Sequence, residues 1–86
     1  MMGEYSVVIV SKAEKEFLKL PARVKASLTK KILSLEDNPR PLGAKKLKET
    51  DYYRIRVGDF RAIYSIDDNE RTVKILSIGH RREIYR

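Results

Sequence analysis

Tyr53-Arg54-Ile55-Arg56-Val57-Gly58-Asp59-Phe60-Arg61-Ala62-Ile63-Tyr64 is the stretch on which the fold turns. Tyr53, Ile55 and Val57 alternate with Arg54 and Arg56, the period of two that gives a strand one apolar and one cationic face. Gly58-Asp59 is a two-residue turn signal, and Phe60 to Ile66 reads as the strand that comes back alongside. Residues two apart on a strand share a face, so Arg54 and Arg56 point the same way, and the tight turn brings Arg61 beside them. Arginine suits phosphate because its planar fork donates paired hydrogen bonds and stays charged. Three converging guanidinium groups therefore make a phosphate cradle.

Downstream, Asp67-Asp68-Asn69-Glu70 is a second polar turn, and Thr72 to Ile78 reads as a further strand. Upstream, Tyr5 to Val10 is β-branched and almost continuously apolar, which predicts a central strand buried on both faces. Ser11 with Glu14 three residues later has capping-box spacing and predicts a helix start there. Pro21 either ends that helix or opens a second one. The second helix is predicted from Pro21 to Glu36, with Val24, Leu28, Ile32 and Leu35 as its core stripe and Arg23, Lys25, Lys30 and Lys31 on its other side. Asn38-Pro39-Arg40-Pro41-Leu42-Gly43 marks a connecting loop. The expected architecture is α+β: an N-terminal strand, a helical hairpin and a three-stranded antiparallel meander, with the helices on one face of a small sheet. Residues 1–86 are expected to form a single domain.

The chain carries 19 Lys and Arg against 12 Asp and Glu, a formal net charge of +7. Such a field attracts polyanions through counterion release, which makes nucleic acid the leading partner class. Cysteine is absent, so no disulfide framework or thiolate zinc site is available and a cytoplasmic location is expected. Neither secretion nor membrane insertion is expected, because the apolar N-terminal run is short and contains Glu4. His80 is the single histidine, which excludes ribonucleases built on a histidine pair. Asp67, Asp68 and Glu70 have hairpin-turn spacing, so neither a metal nor another cofactor is expected.

The last eight residues, Gly79-His80-Arg81-Arg82-Glu83-Ile84-Tyr85-Arg86, place a histidine, three arginines and a tyrosine together. A tyrosine can stack on an unpaired base while arginines hold the flanking phosphates. The candidate catalytic residues are Arg54, Arg56, Arg61, Arg81 and Tyr85. The candidate substrate contacts are His80, Arg82, Lys45, Lys46 and Lys48.

With the early text Ser11-Lys12-Ala13-Glu14-Lys15-Glu16-Phe17-Leu18-Lys19-Leu20-Pro21, the Tyr53–Tyr64 stretch and the closing Gly79–Tyr85 in view, the sequence resembles the RelE family of the RelE/ParE toxin-antitoxin superfamily over nearly its whole length. The resemblance implies an endoribonuclease toxin, an mRNA interferase. It would enter the ribosomal A site and cleave mRNA by attack of the 2′-hydroxyl, leaving a 2′,3′-cyclic phosphate. It also implies the ribosome, mRNA and a RelB-like antitoxin as partners, the last in a toxin-antitoxin hetero-oligomer. On this resemblance Arg61 would stabilise charge on the scissile phosphate, Arg81 would act at the leaving oxygen or the phosphate, and Tyr85 would stack on or orient the substrate. Arg54 and Arg56 depart from well-known members, which carry lysines there. Arginine scarcely ever gives up its proton, so these groups point to electrostatic stabilisation, and the acceptor of the 2′-hydroxyl proton stays open among His80, Tyr85 and Glu83. Two other readings are a ParE-like toxin that poisons gyrase and a non-catalytic basic RNA-binding module.

Overall fold

The computed structural model describes residues 4–80. In chain order they form β1 (Ser6–Ile9), α1 (Ser11–Leu18), α2 (Ala22–Ser34), β2 (Lys45–Lys46), β3 (Tyr52–Val57), β4 (Phe60–Asp67) and β5 (Thr72–His80). The strands make one mixed sheet in the order β1-β5-β4-β3-β2. β3, β4 and β5 form the antiparallel meander, and β1 runs parallel to β5. The α+β architecture is as expected, with β2 as an addition.

Alternation decides which face of the sheet is covered. Ile55, Ala62, Tyr64, Val73, Ile75 and Ile78 pack in one core with Ala13, Leu20, Leu28, Ile32 and Leu35 from the helical half. On β5 the buried residues step from Val73 to Ile75 and then to Ile78, a break in the period of two. A register shift between Ile63 and Tyr64 accounts for it: Ile63 pairs with Ser77 and Tyr64 with Ile75, so Leu76 is the extra residue of a bulge. The bulge keeps Ile78 in the core and sets Gly79 opposite Arg61.

Two local expectations are corrected. β1 is an edge strand, not a central one, with Val8 46% and Ile9 39% exposed. Its apolar text serves only one covered side: Val7 packs against the core, whereas Val8 is exposed on the face opposite the helices. The Ser11–Glu14 capping box does not form; Val10 occupies the N-cap position with no side-chain cap, and Ser11 is already helical. Glu14 instead donates its backbone N–H to the Val10 carbonyl, an ordinary first-turn bond.

Besides the core packing of Ala13 and Phe17, Glu16 ties α1 to β5. Its carboxylate accepts the backbone N–H of Ile78 at 2.8 Å, the Ser77 hydroxyl at 3.3 Å and the Lys12 ammonium at 2.9 Å. Past the end of β1 the edge of β5 would lack a strand partner, and the Glu16 carboxylate satisfies it there. Pro21 precedes α2 at its N-cap, and Leu28 and Ile32 are the helix's buried contacts. At the far end of the sheet Arg40 grips Asp68 through both terminal nitrogens, 3.3 and 3.0 Å, and donates from Nε to the Tyr53 hydroxyl at 3.2 Å. Tyr5 donates to the same Asp68 carboxylate at 2.6 Å. Among the described residues no helix is long and apolar enough to cross a membrane.

Candidate functional site

The site grows from the β3–β4 hairpin. Gly58 takes φ +57°, a left-handed conformation that glycine enters without strain, at the first position of a two-residue turn closed by Val57 and Phe60. That turn fixes the register, and the register makes Arg56 and Arg61 direct cross-strand partners. Facing residues on one side of an antiparallel pair hold their Cβ atoms about 4.5–5.5 Å apart. Arg54 follows two positions along, opposite Ile63, and Lys45 of β2 faces Arg54 from the other side. Lys45, Arg54, Arg56 and Arg61 therefore share the sheet face that points away from the helices, called the outer face below.

Burial differs along this row. Arg56 is exposed, Arg54 is half-buried, and Arg61 is only 6% exposed. Among the described residues no carboxylate pairs with Arg54 or Arg56; the described ion pairs, Lys12–Glu16, Arg40–Asp68 and Arg71–Glu4, lie elsewhere. Gly79, register partner of Arg61, adds no side chain to that row. The result is a cationic face with one nearly buried guanidinium and two more accessible ones, an arrangement suited to holding an anion with several negative oxygens.

The other expected contacts separate. Lys46 pairs with Tyr53, so it turns toward the opposite side of β2 from Lys45. Lys48 is exposed in the loop after β2. His80 pairs with Phe60 and packs edge-on against its ring, centroids 5.6 Å apart, on the side of the sheet opposite to Arg61. Arg81, Arg82, Glu83 and Tyr85 lie outside the described residues. The turn acids have structural work: Asp67 accepts the backbone N–H groups of Asn69 and Glu70, and the Asp68 carboxyl is held below its ordinary range by the hydrogen bonds from Arg40 and Tyr5.

Sequence reasoning passed over Tyr52. It stands two positions before Arg54, on the same outer face, and is 44% exposed. Its signal was present: the alternation that grouped Arg54 with Arg56 extends one step back to Tyr52.

Comparison with known families matches residues 7–85 to the ParE toxin of the type II toxin-antitoxin system parDE. The fold and its cationic sheet face thus define a toxin domain of the RelE/ParE class. Within that class, "Toxin RelE" of Mycobacterium tuberculosis is 31% identical over 84 residues, covering 95% of this chain and 87% of that protein. "mRNA interferase toxin RelE" of Escherichia coli is 33% identical over 79 residues, covering 86% of this chain and 82% of that protein. Among solved structures, an archaeal RelE–RelB complex from Pyrococcus horikoshii superposes with a TM-score of 0.81 at 32% identity, covering 91% of this chain and 96% of that one. A RelB–RelE toxin-antitoxin complex from M. tuberculosis gives 0.80 at 31% identity, covering 94% of this chain and 95% of that one. The chain belongs to the RelE toxin family.

Proposed function

We propose that the chain is a ribosome-dependent endoribonuclease toxin that cuts mRNA in the A site and is neutralised by a RelB-like antitoxin. The observation that carries this reading is the pairing of Arg56 with Arg61 across the β3–β4 hairpin, with Arg54 and Lys45 on the same face. Relatives named as mRNA interferases and solved RelE–RelB complexes support it.

In the proposed reaction the 2′-oxygen forms a bond to phosphorus as the bond from phosphorus to the 5′-oxygen breaks. The 2′-hydroxyl proton leaves to a base and the 5′-oxygen takes up a proton, so the products are a 2′,3′-cyclic phosphate and a 5′-hydroxyl. Arg61, Arg56 and Arg54 offset the extra negative charge on the phosphorane oxygens, where preorganised donors act most strongly. Arg81 and Tyr85 are assigned to the leaving oxygen and to substrate orientation, Arg82 to the flanking phosphates. Lys45 is the lysine best placed for the substrate backbone; Lys46, Lys48 and His80 sit away from the row and contribute at most peripheral contacts. The antitoxin supplies acidic or amphipathic surface to this basic chain, and the complex is a hetero-oligomer acting in the cytoplasm.

The family match carries the ParE description, so gyrase poisoning is the competing reading. Primer extension on mRNA from translating ribosomes separates them. A-site breaks that depend on the ribosome support the proposal; intact mRNA with gyrase-dependent DNA damage supports ParE-like action.

A further inference from the structure

The cationic row continues past Arg54. Counting by twos along β3 from the turn, the outer face presents Arg56, then Arg54, then Tyr52, at a repeat of about 6.6–6.8 Å for each two residues. Across the sheet from Tyr52 the register runs to Ser65 on β4 and from Ser65 to Lys74 on β5. Ser65 is short and half-buried, whereas Tyr52 and Lys74 are exposed. A low floor thus lies between an aromatic ring and an ammonium group. Beyond Lys74 the surface changes sign: a hollow of about 720 Å³ is lined by Ser65, Lys74, Asp67, Asp68 and Glu70.

We propose that Tyr52 and Lys74 form a subsite for one nucleotide flanking the cleaved position, with its unpaired base stacked on Tyr52 and its phosphate held by Lys74. This rests on the endoribonuclease reading above and adds where the strand runs. A base presents a π-face whatever its identity, so a tyrosine platform accepts any of the four. The phosphate path begins at Arg56 and Arg61, passes Lys45 and Arg54, and ends at Lys74, because Asp67 and Glu70 repel the next phosphate. Polarity along the sheet follows from the face itself: cations at the hairpin end, acids at the β4–β5 turn.

The test is single-turnover cleavage on ribosomes carrying an mRNA in the A site, with the full chain in excess and its concentration varied. Tyr52→Ala is expected to raise the half-saturating concentration about tenfold, the order of one base stack, with the maximal rate nearly kept. Tyr52→Phe restores the original value because the ring, not the hydroxyl, stacks. Lys74→Gln is expected to lower the slope of log affinity against log salt by about one. Unchanged half-saturation in both Tyr52→Ala and Lys74→Gln, with cleavage intact, overturns the subsite and leaves the endoribonuclease reading standing. Loss confined to antitoxin binding assigns the face to a protein and also overturns it. Absence of cleavage by the unaltered chain overturns both readings.

Discussion

Arg61 combines a positive charge with near-complete burial at 6% exposure, beside an exposed Arg56. Burial narrows the orientations a guanidinium can take, and a preorganised donor is what stabilising a transition-state anion requires. Arg61→Ala is predicted to slow cleavage by about 10²–10³-fold, the usual effect of removing one preorganised donor. Ribosome binding, followed by co-sedimentation, should persist; a parallel loss of both would make Arg61 a binding residue only. Tyr64 shows a different kind of residue-level role. Its buried hydroxyl donates to the Pro39 carbonyl at 2.8 Å, and burial pushes the phenol up to about 12, so the donor keeps its proton. Tyr64→Phe is predicted to destabilise the fold by about 1–2 kcal/mol, measured by urea unfolding, because the carbonyl loses its partner. At this scale Arg54, Arg56 and Arg61 were legible from alternation and one turn signal. His80 was not: Arg81 and Arg82 follow it in the chain, yet strand alternation sends it to Phe60.

At the scale of elements, the Glu16 carboxylate ties α1 to β5, alongside a bond from Lys12 to the Ser77 hydroxyl and the packing of Ala13. Burial works against the charged form of Glu16, but the Ile78 amide, Lys12 and Ser77 outweigh it and hold the carboxyl below its ordinary value of 4.5. A carboxyl whose folded value is depressed stabilises the fold above the unfolded value and loses that contribution as the pH falls through the folded one. The gap in melting temperature between the unaltered chain and Glu16→Gln should therefore be full above about pH 5 and close at more acidic pH; a gap independent of pH would contradict the ionic account. The α2 stripe makes a simpler prediction. Leu28 is fully buried, so Leu28→Ala should cost about 2–5 kcal/mol by chemical denaturation, where a surface change on the same helix such as Lys30→Ala should move stability by under about 0.5. The Leu28 and Ile32 positions were readable from their spacing. The Glu16 lock was not, since its partner Ile78 lies 62 residues away and is a backbone group. β1 misled for a related reason: apolar text reports that a strand wants cover, and only topology says how much it receives. β2, two lysines long, carries no periodic signal at all.

At the scale of the molecule, a net charge of +7 is distributed unequally over a sheet with two different faces. One face is consumed by the helices; the other presents Lys45 and Arg56 to solvent, with Arg54 half-buried and Arg61 nearly buried beside them. Affinity for ribosome-bound RNA should therefore fall steeply between about 50 and 200 mM salt, in a log-log plot whose slope counts the phosphates neutralised. A flat salt dependence would point to a protein surface as the target instead. Charge and fold class were both open to reading from the sequence, because each is a sum over many residues. The face on which these cations meet depended on register, which for Arg56 and Arg61 rests on the Gly58 turn; the bulge at Leu76 sets only the pairing of β4 with β5.

The most direct test of the central claim, that the paired arginines of the hairpin act on an RNA phosphate, is primer extension across ribosome-bound mRNA with the unaltered chain and Arg61→Ala side by side. Breaks at the A-site codon that vanish in the variant while it still co-sediments with ribosomes are the predicted result. Equal cutting by both proteins, or no cutting by either, would contradict it.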